Sequence, residues 1–149
     1  MGMFDSFNIN ASGLTAQRYR MDVIAENVAN ANTTRTENGD PYKRKVVTFE
    51  EKNGNYDNFD TIFGRASSRY AGHGVKVGKT FEDNSEGAMV YDPAHPDADE
   101  NGYVTYPNVN IITEMTNLID ASRSYEANAT AFGASKSIMQ QGLMMGKNS

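Results

Sequence analysis

The densest set of potential metal ligands is "DADENGYVTYPN", Asp97 to Asn108. Asp97, Asp99, Asn101 and Gly102 fall at positions 1, 3, 5 and 6 of a calcium-binding loop, with Val104 at the apolar position 8. Position 12 should supply a bidentate Glu, but it is Asn108. The prolines of the preceding "YDPAHP" also forbid the entering helix that such a loop needs. The plainer expectation is an acidic β-turn, with Asn101-Gly102 supplying positive φ. Calcium at Asp97, Asp99 and Asn101 is the weaker alternative. His73 in "GHGVKV" and His95 in "DPAHP" have neither the spacing of a metal pair nor a serine elbow to serve. Both read as solvated loop histidines. A catalytic site needs convergent titratable groups and this sequence offers few, so the chain is expected not to be an enzyme and to need no cofactor.

A second cluster poses a different question. In "ENVANANTTR", Glu26 to Arg35, Asn27, Asn30 and Asn32 are followed by Thr33 and Thr34. Such side chains compete with a helix for its backbone hydrogen bonds, so one of them would suffice as a stop. Asn27 and Asn30 lie one turn apart and offer both donor and acceptor to a partner. The residues alone leave two readings open, a bonded partner yet to be found or a plain frayed helix end with turn residues. Asn32 and Thr33 are the expected caps of the exit.

These residues must be held by helices at the two ends of a 149-residue chain. Phe7, Leu14, Met21 and Val28 recur every seven residues, with Ile24 and Ala31 between them, which is a coiled-coil-like seam. Asp5 or Ser6 is the expected cap, and the helix would run for about 25 residues. At the other end Ile111, Met115, Leu118, Ser122, Tyr125, Ala129, Phe132, Lys136, Met139 and Leu143 follow 4-3 spacing. Asn110 is the expected N-cap, Glu114 sits in the first turn where the helix dipole favours it, and about 35 residues are predicted helical. A second row of Ala131, Ala134, Ile138 and Met145 lies on the far side. A helix apolar on both sides is expected to be buried on both, which one partner helix cannot do. The readings are cover by neighbouring molecules or an irregular core helix within one globule.

The middle has no helical period. "PYKRKVVTFEE" reads as a strand, as do the short pieces around "GVKV", "AMVY" and "YVTY", while Asn38-Gly39, Asn53-Gly54 and Asn101-Gly102 mark turns. Lys52 to Gly74 has little pattern.

Composition narrows the function classes. The chain carries a net charge of −5, 38% hydrophobic residues and no Cys. No basic face can easily overcome that charge, so nucleic acid is not an expected partner. The cluster Lys43, Arg44 and Lys45 is too short to count. There is no disulfide framework and no thiolate metal site. No run is long enough to span a membrane, and the N-terminus lacks the apolar region of a cleavable signal.

Laid out this way, the chain resembles the rod, hook and axial proteins of the bacterial flagellum. The match lies in "SGLTAQRYRMDVIAENVANANTTRT", Ser12 to Thr36, and in "PNVNIITEMTNLIDASRSYEANATAF", Pro107 to Phe132. Asn27, Ala29, Asn30 and Thr33 fit the family's "NxANxxT" arrangement, and "VYDPAHPDADENGYV" is similar to a segment of proximal rod members. The resemblance implies a non-enzymatic rod subunit of the basal body in the periplasm, exported by the flagellar type III system without signal cleavage. It implies helical assembly with proximal and distal rod proteins, with copies of itself, and with membrane-ring and export-gate adaptor proteins at the base. The assembly would transmit torque for motility.

The expected fold is α+β, one domain overall. Residues 1–36 form an N-terminal axial helix with its Asn-rich exit, 37–106 a β-rich, loop-rich middle, and 107–149 a C-terminal axial helix. The in-chain seam is expected to hold Phe7, Leu14, Met21, Ile24, Val28, Met115, Leu118, Tyr125, Phe132 and Met139. The subunit interface is expected to hold Asn27, Asn30, Thr33, Ala131, Ala134, Ile138 and Met145. The rival reading is a secreted surface module that binds calcium or contacts carbohydrate.

Overall fold

Helix α1 covers Met3–Ala29, 27 residues, and helix α2 covers Ile111–Lys147, 37 residues. The structure, a computed structural model, describes residues 3–52 and 73–147. The Asn53-Gly54 turn and most of the 52–74 stretch therefore lie outside the described residues. Among the described residues four strands lie between the helices: β1 (Lys45–Glu51), β2 (Val75–Glu82), β3 (Met89–Tyr91) and β4 (Tyr103–Thr105). β1 pairs with β2 and β3 with β4, each as a two-stranded sheet. The fold is α+β: two long terminal helices that pack together, with a small two-sheet middle.

The helix ends follow from local chemistry. Asn110 caps α2, its Oδ1 accepting from the amides of Ile112 (3.0 Å) and Thr113 (3.2 Å). At the start of α1 the expectation was off by a few residues. The helix begins at Met3, which places Asp5 within the first turn, where its charge suits the dipole, and not at the cap. Positive φ occurs at Gly39 (91°) and Gly102 (81°), the second residues of two expected turns, as glycine permits without strain.

The residues group into two units. One comprises Met1–Tyr19, Phe49–Gly78 and Ser122–Ser149; the other comprises Arg20–Thr48 and Lys79–Ala121. In the first, the rings of Phe7 and Phe132 meet edge to face at 5.0 Å. Six residues further along α1, a Cβ on Gly13 would lie 2.9 Å from the Asn128 side chain, so the helices approach closely there. Phe7 pairs with the later residue of α2 and Gly13 with the earlier, so the helices run antiparallel. The Ser12 hydroxyl accepts from the Val75 amide at 3.0 Å and fastens β2 to α1.

In the second unit the buried apolar residues are Val23, Ile24, Ala31, Tyr42, Val104 and Ala121. Here the Asp83 amide donates to the Arg44 carbonyl, and the Lys79 amide to the Thr48 hydroxyl. Residues ascending along β1 thus meet residues descending along β2, and the ribbon is antiparallel. β3 and β4 form an antiparallel hairpin with Val90 opposite Val104. Val104 is buried at its centre, while Tyr91 and Tyr103 stack edge to face at 5.2 Å on the outside.

Candidate functional site

The main polar site in the second unit joins α1, β1 and the first turn of α2. Asn27 and Glu114 are both 1% exposed, and among the described residues they are the only buried polar side chains. Asn27 Nδ2 donates to the Lys45 carbonyl (2.9 Å) and to Glu114 Oε2 (3.1 Å). Its Oδ1 accepts from the Lys45 amide (2.9 Å) and the Tyr42 hydroxyl (2.9 Å). Both donors and both lone pairs of this amide are therefore used inside the chain. Asn27, expected at a subunit interface, is thus a saturated, buried amide within its own chain.

Glu114 is held from a second side by charge. Arg44 donates to its Oε1 from Nε (2.9 Å) and Nη2 (2.7 Å), a charge-assisted pair. Arg44 is fixed by its own backbone, whose amide donates to Asn108 Oδ1 at 2.9 Å. Asn108 in turn donates to the Asp83 carbonyl and the Ser85 hydroxyl, both at 2.9 Å. Ser85 holds the Asp83 carboxyl below the usual carboxylate range by backbone and side-chain hydrogen bonds, with Arg44 adding to the effect. Lys45 pairs with Glu26 and lies 5.9 Å from the centre of the Tyr42 ring. A cavity of about 70 Å³ lies beside the Arg44–Glu114 pair, lined in part by Val23, Ile24 and Asn117. The arrangement binds three chain segments together.

The other expected residues fall as follows. Asn30 is half-buried, its Nδ2 donating to the Glu26 carbonyl (3.0 Å) and its Oδ1 accepting from the Thr33 hydroxyl (3.1 Å). Asn30 and Thr33 thus close the end of α1 within the chain, and Asn32 beside them is exposed. Along the seam, Ile24 is buried, while Phe7, Leu14, Met21, Val28, Leu118, Tyr125, Phe132 and Met139 are half-buried. Met115 departs from the expected seam: it is 56% exposed, and its neighbour Glu114 faces inward in its place. There the Glu114 carboxylate meets Arg44 and Asn27. Leu143, also expected inside, is 69% exposed, as is Met145; Ile138 is 68% exposed, and Ala131 and Ala134 are exposed too.

The acidic loop behaves as a turn. Asp99 Oδ1 accepts from the amides of Asn101 (2.9 Å) and Tyr103 (2.8 Å). Asp97 accepts from the Thr34 hydroxyl (2.8 Å) and pairs with Arg35 at 3.6 Å. Its own amide donates to Nδ1 of a half-buried His95. Among the described residues no three His, Asp or Glu side chains gather as metal ligands. Nor is any described helix long and apolar enough to cross a membrane.

Sequence reasoning missed Tyr42, Arg44 and Lys45, dismissed with their basic neighbours, and gave Glu114 only a role in the helix dipole. One signal was available. A Glu one position before a seam residue, and an Asn on the seam face of α1, are two polar residues whose burial would require each other.

Comparison with known proteins falls on the same two ends. Residues 7–35 match the family model described as flagella basal body rod protein, and residues 100–145 that described as flagellar basal body rod FlgEFG protein C-terminal. Terminal helices that pair with each other, together with these matches, define the class as a flagellar basal-body rod protein. The flagellar basal-body rod protein FlgC of Bacillus subtilis is 46% identical over 153 residues, spanning 99% of this chain and 100% of that protein. The FlgC of Borreliella burgdorferi is 43% identical over 147 residues, with 96% and 97% covered. That of Salmonella typhimurium is 38% identical over 147 residues, with 99% and 100% covered. The chain belongs to the family of flagellar basal-body rod protein FlgC. It is a structural subunit of the flagellar basal-body rod, and the rival reading as a calcium- or carbohydrate-binding surface module is not supported.

Proposed function

We propose that the subunit occupies the proximal rod in the periplasm, with the exposed apolar side chains of α2 covered by neighbouring rod subunits. The observation that carries this is the number of large apolar residues α2 leaves in water: Ile112, Met115, Ile119, Ile138, Leu143 and Met144 are all more than half exposed. Apolar surface on that scale marks an interaction site. The row Ala131, Ala134, Ile138 and Met145 meets copies of the chain or other proximal and distal rod proteins. The base of the stack meets the membrane-ring and export-gate adaptor proteins. The chain reaches this place through the flagellar type III system without cleavage, and the assembled stack transmits torque.

The test is Ile138→Lys combined with Leu143→Lys. Each side chain contributes about 1.5–3 kcal/mol when fully buried, and a repeated interface feels the loss at every subunit. Normal export with absence from isolated rods and loss of swimming is expected. Incorporation into rods with unchanged swimming would remove α2 from the interface.

A further inference from the structure

The buried face of the second unit is permissive except at one point. Its apolar members are mostly small or aliphatic, Val23, Ile24, Ala31 and Ala121 among them. From α2 this unit buries Ala121 fully and Leu118 in part, and such aliphatic contacts are non-directional. Asn27 and Glu114 do not tolerate a slide of α2. They are the two buried polar side chains, and they bond each other at 3.1 Å. A slip of α2 would part Glu114 from both Asn27 and Arg44 and leave a carboxylate among hydrocarbon, while Asn27 kept only Tyr42 and Lys45. Arg44 sharpens the choice, because its two bonds to Glu114 Oε1 come from a backbone already tied to Asn108.

We infer that the Asn27–Glu114 pair, held by Arg44, sets the register of α2 against α1 and is not what makes the unit stable. Buried ion pairs gain little over well-packed apolar residues of the same size, whereas a single buried polar contact can select one alignment among several. The inference does not depend on assembly into a rod and is tested on the monomer.

The chain has no Cys, so cysteines introduced at Asp22 and Thr116, both exposed in this unit, accept spin labels without interference. The full-length native protein should give one narrow distance by pulsed electron resonance. The triple variant Asn27→Leu, Arg44→Met and Glu114→Leu should keep or raise the urea midpoint. Its distances should split, with a population displaced by about 5 Å, one helical turn. Arg44→Ala alone should lower the midpoint, because it strands a buried carboxylate, while its folded fraction keeps the single distance. The inference is overturned by a single distance in the triple variant, since register would then be set elsewhere. It is equally overturned if the triple variant fails to fold, or if Arg44→Ala leaves the midpoint unchanged.

Discussion

Tyr42 is buried, and its hydroxyl donates to Asn27 Oδ1 at 2.9 Å. Burial, and then the charges of Glu26, Glu82 and Glu114, push that hydroxyl from its ordinary 10.0 up to about 12. The sign of the consequence follows from proton counting. Between these values the unfolded chain has released the phenolic proton while the folded chain still holds it. Stability from Tyr42 is therefore whole below about pH 10 and is lost as the pH climbs toward 12. Urea midpoints measured from pH 8 upward should fall across that window in the native protein and fall less in Tyr42→Phe. At neutral pH the same variant should be weaker by about 1 kcal/mol, the usual worth of one hydrogen bond. An identical alkaline slope in both proteins would mean that the phenol does not titrate in a buried site.

At the scale of elements, α2 depends on its first turn more than its length suggests. Three of its defining contacts sit within five residues: the Asn110 cap, the Glu114 amide donating to the Asn110 carbonyl at 2.9 Å, and the Glu114 carboxylate on Arg44. Asn110→Ala removes acceptors from two orphan amides, and such changes cost about 1 kcal/mol. A drop of that size in unfolding free energy is expected, together with faster hydrogen exchange at the amides of Ile112 and Thr113. Toward its other end the helix tolerates more. A methyl placed on Gly133 would meet nothing within 4 Å. Gly133→Ala should accordingly stabilise the helix by about 1 kcal/mol through backbone entropy alone. No gain would show that this stretch is not helical in the isolated chain.

At the largest scale, the described residues hold two long helices and few large buried side chains. Among the described residues the fully buried ones with the largest side chains are Glu114, Val104 and Asn27, two of them polar. Helices of this kind draw most of their stability from packing, since nucleation is costly and propensity is weak. The isolated subunit should therefore show less helix by circular dichroism than 27 and 37 residues in two terminal helices require. The deficit should disappear on incorporation into rods. A full helical signal with one cooperative melt in the monomer would show that neighbours are not needed to fold it.

The elements were readable from consecutive residues. Seven-residue spacing from Phe7 to Val28, 4-3 spacing from Ile111 and the Asn110 cap located both helices, and short β-branched runs located four strands. Local backbone and solvent preferences decide such features, and they are written in consecutive residues. The family was legible for the same reason, because its signatures lie on those helices. What only tertiary structure decided was which polar residues face each other. Asn27, Tyr42, Arg44 and Glu114 are dispersed along the chain, and a pattern that assigns burial by hydrophobicity sends an Arg and a Glu to the surface. They go inward because each satisfies the other there, through charge-assisted hydrogen bonds of 2.7 and 2.9 Å that neither could form alone. Mutual satisfaction is a property of pairs in space, and no single position carries it.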